Sequence, residues 1–138
     1  MQKTSKTIRV DRARWYTGAV QNALDRHESV AGSPGSALYV PETKQHCCLG
    51  FACRQLHRTP LKDIAGLGLP SEVDWLDTPL SAFQVQAAAI NDDRLLTSRE
   101  RESQLRALFK EHGFRLVFYG SQKNAIASAV RRLAKAGR

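Results

Sequence analysis

Long apolar runs are missing from this 138-residue sequence. None approaches the roughly 18 residues that a membrane-crossing helix needs, so no membrane partner is expected. The opening MQKTSKTIRV also lacks the apolar stretch of a signal peptide. A soluble, cytosolic protein is expected. Cysteine is scarce: three residues, all within KQHCCLGFAC at positions 44–53. An odd, tightly clustered set fits a reducing compartment better than a disulfide framework. A second CxxC, an HxxxH and EF-hand spacing are absent, so neither a metal nor a cofactor is expected. Helix-turn-helix, zinc-finger and RNP signatures are absent as well, which leaves sequence-specific base reading without support. With no internal repeat and no long linker, residues 1–138 read as one domain.

Positive charge is plentiful and unevenly placed. The net charge is +8. Residues 71–98 carry one Lys/Arg and five Asp/Glu, a net of −4, whereas residues 99–138 carry ten and three, a net of +7. A basic N-terminal arm (1–10) and a basic C-terminal helix (121–137) frame the domain. Such asymmetry suits phosphate-bearing partners. It also suits plain solubility.

Periodicity supplies the elements. Thr7–Val10 is β-prone. Asp11 is a plausible N-cap for a helix to about Arg26, with Tyr16, Ala19, Val20, Ala23 and Leu24 on one face. ESVAGSPGS (28–36) reads as a loop, and Ala37–Val40 as a short strand. His46–His57 has helical spacing, and GLGLP (66–70) is a break. Ser81–Ile90 forms an Ala-rich helix punctuated by a turn at Asn91-Asp92-Asp93. Thr97-Ser98-Arg99-Glu100 is a capping box, opening a helix that stops at His112-Gly113. Phe114–Tyr119 alternates as a strand. A last helix places Ile126, Ala129, Val130 and Leu133 opposite Arg131, Arg132 and Lys135. The predicted class is α+β, a mainly helical single domain with a small β-sheet.

The cysteines admit three readings. Cys48 shares the apolar helix face with Phe51, Ala52 and Leu56, and Cys53 borders it, so both read as core. Cys47 points away on the same wheel, toward Arg54 and Arg58, in the first helical turn. A helix N-terminus and nearby cations favour thiolate. That makes Cys47 the candidate nucleophile, with His46, His57 or His112 as base. Cys53 and His57, four residues apart, can reach one metal ion, but a structural zinc site needs two more ligands.

Other features each carry a bland and a sharp reading. Asp74, Asp77, Asp92 and Asp93 can gather around a divalent ion, or act as caps and turn residues. Arg131, Arg132 and Lys135 can lie along a phosphate backbone, or form a solvated face. Lys3, Lys6, Arg9, Arg12 and Arg14 offer a second contact. Trp15 and Tyr16, set among arginines, suit stacking on a nucleobase or ordinary packing.

Cys47-Cys48-Leu49-Gly50, Leu69-Pro70 with Trp75-Leu76, Ile90-Asn91-Asp92 and His112-Gly113 come in an order that resembles a family of small uncharacterised phage and prophage proteins, marked by CCLG and a later ND. The likeness covers roughly residues 45 to 119. It implies a phage-related source. The basic C-terminal helix and the acidic stretch around Thr78-Pro79 depart from the pattern. The cadence of CCLGFA and, later, HGFRLVFYG also resembles NlpC/P60-type cysteine peptidases. Those place histidine at the head of a strand, and a third catalytic residue is missing here.

The leading expectation is a small phage-derived binding protein. It inhibits a host anti-phage defence system by occupying nucleic acid, a nucleoprotein surface or a nucleotide ligand. The expected phosphate-binding residues are Arg131, Arg132, Lys135, Arg12, Arg14 and Trp15. The alternative is a small cysteine-dependent hydrolase or transferase built on Cys47 and His112. A third reading binds a host protein through the acidic 71–98 segment.

Overall fold

The computed structural model describes residues 6–26, 37–58, 60–65 and 81–136. Among them run strand β1 (Lys6–Asp11), a 3-10 turn (Arg12–Arg14), α1 (Gly18–Asp25), α2 (Cys48–His57) and α3 (Leu61–Ile64). Then follow α4 (Ser81–Asp92), α5 (Ser98–Glu111), β2 (Phe114–Tyr119) and α6 (Gln122–Ala136). β1 and β2 pair in parallel, from Lys6 opposite Phe114 to Asp11 opposite Tyr119. The architecture is α+β, mainly helical with a small sheet, as the periodic pattern predicts.

Alternation decides which sheet face is covered. Ile8, Val10, Phe114 and Leu116 are buried, while Thr7, Arg9 and Arg115 are exposed. Helix α2 packs against β1, α5 against β2, and α4 against both helices. Trp15, Leu49, Phe83, Leu105 and Phe109 fill the space between them. Each large apolar side chain fully buried there stabilises the fold by about 1.5–3 kcal/mol. A second cluster joins Tyr16, Val20 and Leu24 to Ala125 and Ala129, so α6 lies on α1 and on the 3-10 turn.

The end signals of α5 act as the sequence predicts. The Thr97 hydroxyl accepts from the Glu100 backbone N–H at 3.1 Å, and the Glu100 carboxylate accepts from the Thr97 N–H at 2.9 Å. Gly113 takes φ 85 just after the helix, a left-handed conformation suited to glycine.

The helix expected from Asp11 to Arg26 is instead broken. Asp11 caps only the 3-10 turn, accepting from the Ala13 N–H at 3.0 Å. Trp15 and Tyr16 are extended along His46: the Tyr16 N–H donates to the His46 carbonyl, and the His46 N–H to the Arg14 carbonyl. Thr17 then caps α1 through its hydroxyl. Long-range backbone pairing has overridden a local helical pattern. Ala37–Val40 forms isolated bridges at Tyr39 and Val40 instead of a strand. The predicted loop at 28–36 and the break at 66–70 lie outside the described residues.

The CCLG and ND segments interlock. A Cβ on Gly50 would fall 1.8 Å from the Leu38 carbonyl oxygen, so only glycine allows this approach of α2. Asn91, read from sequence as a turn residue, is the buried last-turn residue of α4. Its Oδ1 accepts from the Trp15 indole N–H at 2.7 Å and from the Cys48 backbone N–H at 3.1 Å. Its Nδ2 donates to the Tyr16 carbonyl at 2.8 Å. One amide thereby satisfies an otherwise orphaned N–H of α2 and fixes the residue that breaks the predicted first helix.

Candidate phosphate-binding cleft

Two short connections meet the surface of α6. The 3-10 turn delivers Arg14 to the surface. The turn at 41–45 delivers Thr43 and Lys44, and it is closed by the Lys44 N–H on the Val40 carbonyl at 2.7 Å. Pairing of residue 46 beside residue 15 holds the two connections together. Gln45, buried below, donates from Nε2 to the Ala125 carbonyl at 3.2 Å and ties the turn to α6.

Between them lies a cleft of about 400 Å³, lined by Arg14, Thr43, Lys44, Asn124, Arg131 and Arg132 together with small residues. Four cations thus converge, and no carboxylate is among the described lining residues. Like charges gathered without a counter-charge cost free energy that a bound anion removes. Thr43 is 2% exposed, and its hydroxyl has no hydrogen-bond partner among the described residues. A buried hydroxyl without a partner is an unmet hydrogen-bonding demand beside the cleft. Lys44 adopts φ 56, a strained conformation for a residue with a Cβ.

The expected phosphate-binding residues divide. Arg131, Arg132 and Arg14 come together in the cleft. Lys135 is exposed further along α6. Arg12 turns inward: its Nε and Nη2 grip the two Glu102 oxygens at 2.7 and 2.8 Å, and Nη1 donates to the Gly120 carbonyl. The Glu102 hydrogen bond raises its pKa further, and the guanidinium serves as a brace between the 3-10 turn and α5. Trp15 is 0% exposed, donates to Asn91 and lies 4.9 Å from the Phe118 ring, so its face is closed to a base. The two expectations are corrected for different reasons: Trp15 lies in the core, and the partly exposed Arg12 is committed to Glu102. Tyr16 is buried too. Lys6 and Arg9 belong to β1, and Lys3 lies outside the described residues. Thr43, Lys44 and Asn124 were missed. The left-handed backbone at Lys44 marks the site, but composition does not foretell it.

Cys47 is a second correction. Helix α2 starts at Cys48, which makes Cys47 the N-cap residue and rotates it inward. It is 3% exposed, and burial pushes its thiol up to about 12. Thiolate chemistry is thereby suppressed. His112 closes α5 with Nδ1 3.0 Å from the Leu108 carbonyl, its ring stacked 4.5 Å from Phe83. Among the described residues no hydrogen bond joins it to Cys47. Cys48 and Cys53 are fully buried, as their place on the apolar face predicts. The His57 side chain, Asp74 and Asp77 lie outside the described residues. Asp93 accepts from the Leu95 N–H at 2.9 Å, and Asp92 from Asn91, which is turn and cap work. Comparison with family models, curated proteins and solved structures gives no match to this chain.

Proposed function

We propose that this protein binds nucleic acid, bare or within a nucleoprotein complex, through the cleft at Arg14, Lys44, Arg131 and Arg132. The carrying observation is the convergence of four cations with no carboxylate among the described lining residues. The chemistry favours phosphate oxygens over base edges. Among the described residues no aromatic ring lines the cleft, so none of them offers a base a stacking surface there. Guanidinium groups match phosphate geometry bidentately. Lys123 and Lys135 are exposed at either end of α6 and extend the positive line past the cleft, which suits a polymer better than a single nucleotide. Contacts of this kind position a protein without reading sequence.

The wider role rests on the CCLG and ND resemblance. A phage accessory protein of this type occupies its nucleic acid or nucleoprotein target in the host cytoplasm and thereby inhibits an anti-phage defence system. The test is fluorescence anisotropy with a labelled single-stranded oligonucleotide and with its duplex. Wild type binds both. Arg131→Glu combined with Arg132→Glu keeps the helical circular dichroism and loses binding. Equal binding by wild type and variant overturns the reading. Competition by a nucleoside triphosphate at equimolar phosphate would instead assign the cleft to a small nucleotide.

A further inference from the structure

The two edges of the sheet are treated differently. In a parallel pair only alternate residues of each strand bond across. The Lys6 N–H donates to the Gly113 carbonyl, and with Lys6 opposite Phe114 this fixes the pattern. Thr7, Arg9 and Asp11 face outward from β1, while Phe114, Leu116 and Phe118 face outward from β2. The β1 edge is covered at its middle. The Arg9 N–H donates to Gln55 Oε1 at 2.7 Å, and Gln55 Nε2 donates to the Arg9 carbonyl at 2.6 Å. A side-chain amide from α2 stands where a third strand would be.

The β2 edge has no such cover. The outward backbone groups of Phe114, Leu116 and Phe118 have no hydrogen-bond partner among the described residues. Alongside them lies a groove of about 510 Å³, lined by every residue from Phe114 to Phe118 and by Arg106 and Lys110 of α5. Its floor is apolar and its rim carries Arg106, Lys110 and Arg115, with no carboxylate among the described lining residues; Glu102 reaches Arg106 at 3.7 Å. The Arg106 guanidinium sits 5.7 Å from the Phe118 ring centroid and half-roofs one end.

We infer that the β2 edge takes an extended acidic peptide of a partner protein as a third strand. The free N–H and C=O groups supply main-chain bonds, and the cationic rim selects carboxylates. Charge argues against a second copy of this chain as occupant. Antiparallel pairing of β2 with itself would set two cationic rims, each with Arg106, Lys110 and Arg115, side by side. The surface is distinct from the α6 cleft and stands or falls apart from it.

Amide hydrogen exchange of the full chain tests this with a blocked peptide of alternating Glu and Val. In the free protein Arg115, Val117 and Tyr119, bonded to β1, should exchange slowly, and Phe114, Leu116 and Phe118 should exchange fast. Saturating peptide should slow the latter three and leave the former three as they were. Lys110→Glu with Arg115→Glu, both exposed positions, should weaken binding by roughly tenfold or more at unchanged thermal stability. The inference is overturned by unprotected outward amides at saturation, or by those three amides already slow in the free protein. Equal binding of a Lys/Val peptide, a doubling of mass on concentration, or the same protection pattern with an oligonucleotide would overturn it too.

Discussion

Replacing Asn91 by Ala should unfasten the structure at a buried polar junction. The side chain is fully buried, and its Oδ1 is the acceptor for the Trp15 indole N–H and the Cys48 backbone N–H. Both donors sit in residues of 0% exposure, so water cannot replace the lost acceptor. Each buried donor left unsatisfied costs about 1–3 kcal/mol. Two of them amount to about 2–6 kcal/mol, a large share of the roughly 5–15 kcal/mol that holds a domain together. At about 3 °C per kcal/mol for a chain of this length, the melting temperature should fall by roughly 6–18 °C. Thermal unfolding followed by far-ultraviolet circular dichroism reads the shift, and a urea titration reads the free energy. A variant melting within about 2 °C of wild type would refute the assignment of Asn91 as the acceptor that joins α2, α4 and Trp15.

Gly50→Ala forces a Cβ toward the Leu38 carbonyl, 1.8 Å away, and should cost at least about 1–3 kcal/mol in a urea titration; an unchanged midpoint would contradict the close approach. Burial holds His46 neutral, lowering its pKa to about 4 from 6.5. Unfolding below pH 6.5 therefore takes up a proton. The stability involved is complete above about 6.5 and is lost as pH falls to about 4, about 3 kcal/mol in all. Urea midpoints across that window should fall in wild type and be flatter in His46→Gln; parallel pH slopes would contradict this. All three cysteines are buried, with the Cys47 and Cys53 thiols pushed up to about 12 and that of Cys48 raised well above its ordinary value. Iodoacetamide at neutral pH should therefore add no mass to the folded protein and three adducts after denaturation, whereas rapid labelling of native Cys47 would restore the nucleophile reading.

Features carried by local chemistry were legible in the sequence. The capping box at Thr97, the stop at His112-Gly113 and the alternation of Phe114–Tyr119 depend on residues within a few positions of one another. The structure keeps all three. The basic face of α6 was legible for the same reason. What escaped was set by distant segments. Trp15 follows an indole bond 76 residues away and leaves the helix its neighbours favour. Cys47 faces inward because it is the extended N-cap residue of α2, so the helical wheel that turned it outward does not apply to it. The cleft joins residues from the 3-10 turn, the 41–45 turn and α6, and only the last of these carried a readable stripe of charge. Arg12 looked equivalent to Arg14 until the fold brought Glu102 to it.

The salt dependence of nucleic-acid binding tests the central claim most directly. If the four cleft cations each displace one counterion from a single-stranded oligonucleotide, log K against log salt should have a slope of about −3. Arg131→Gln removes one of them from an exposed position and should bring the slope to about −2 with the fold intact. A slope unchanged by this substitution, or binding indifferent to salt, would contradict the cleft as the seat of function.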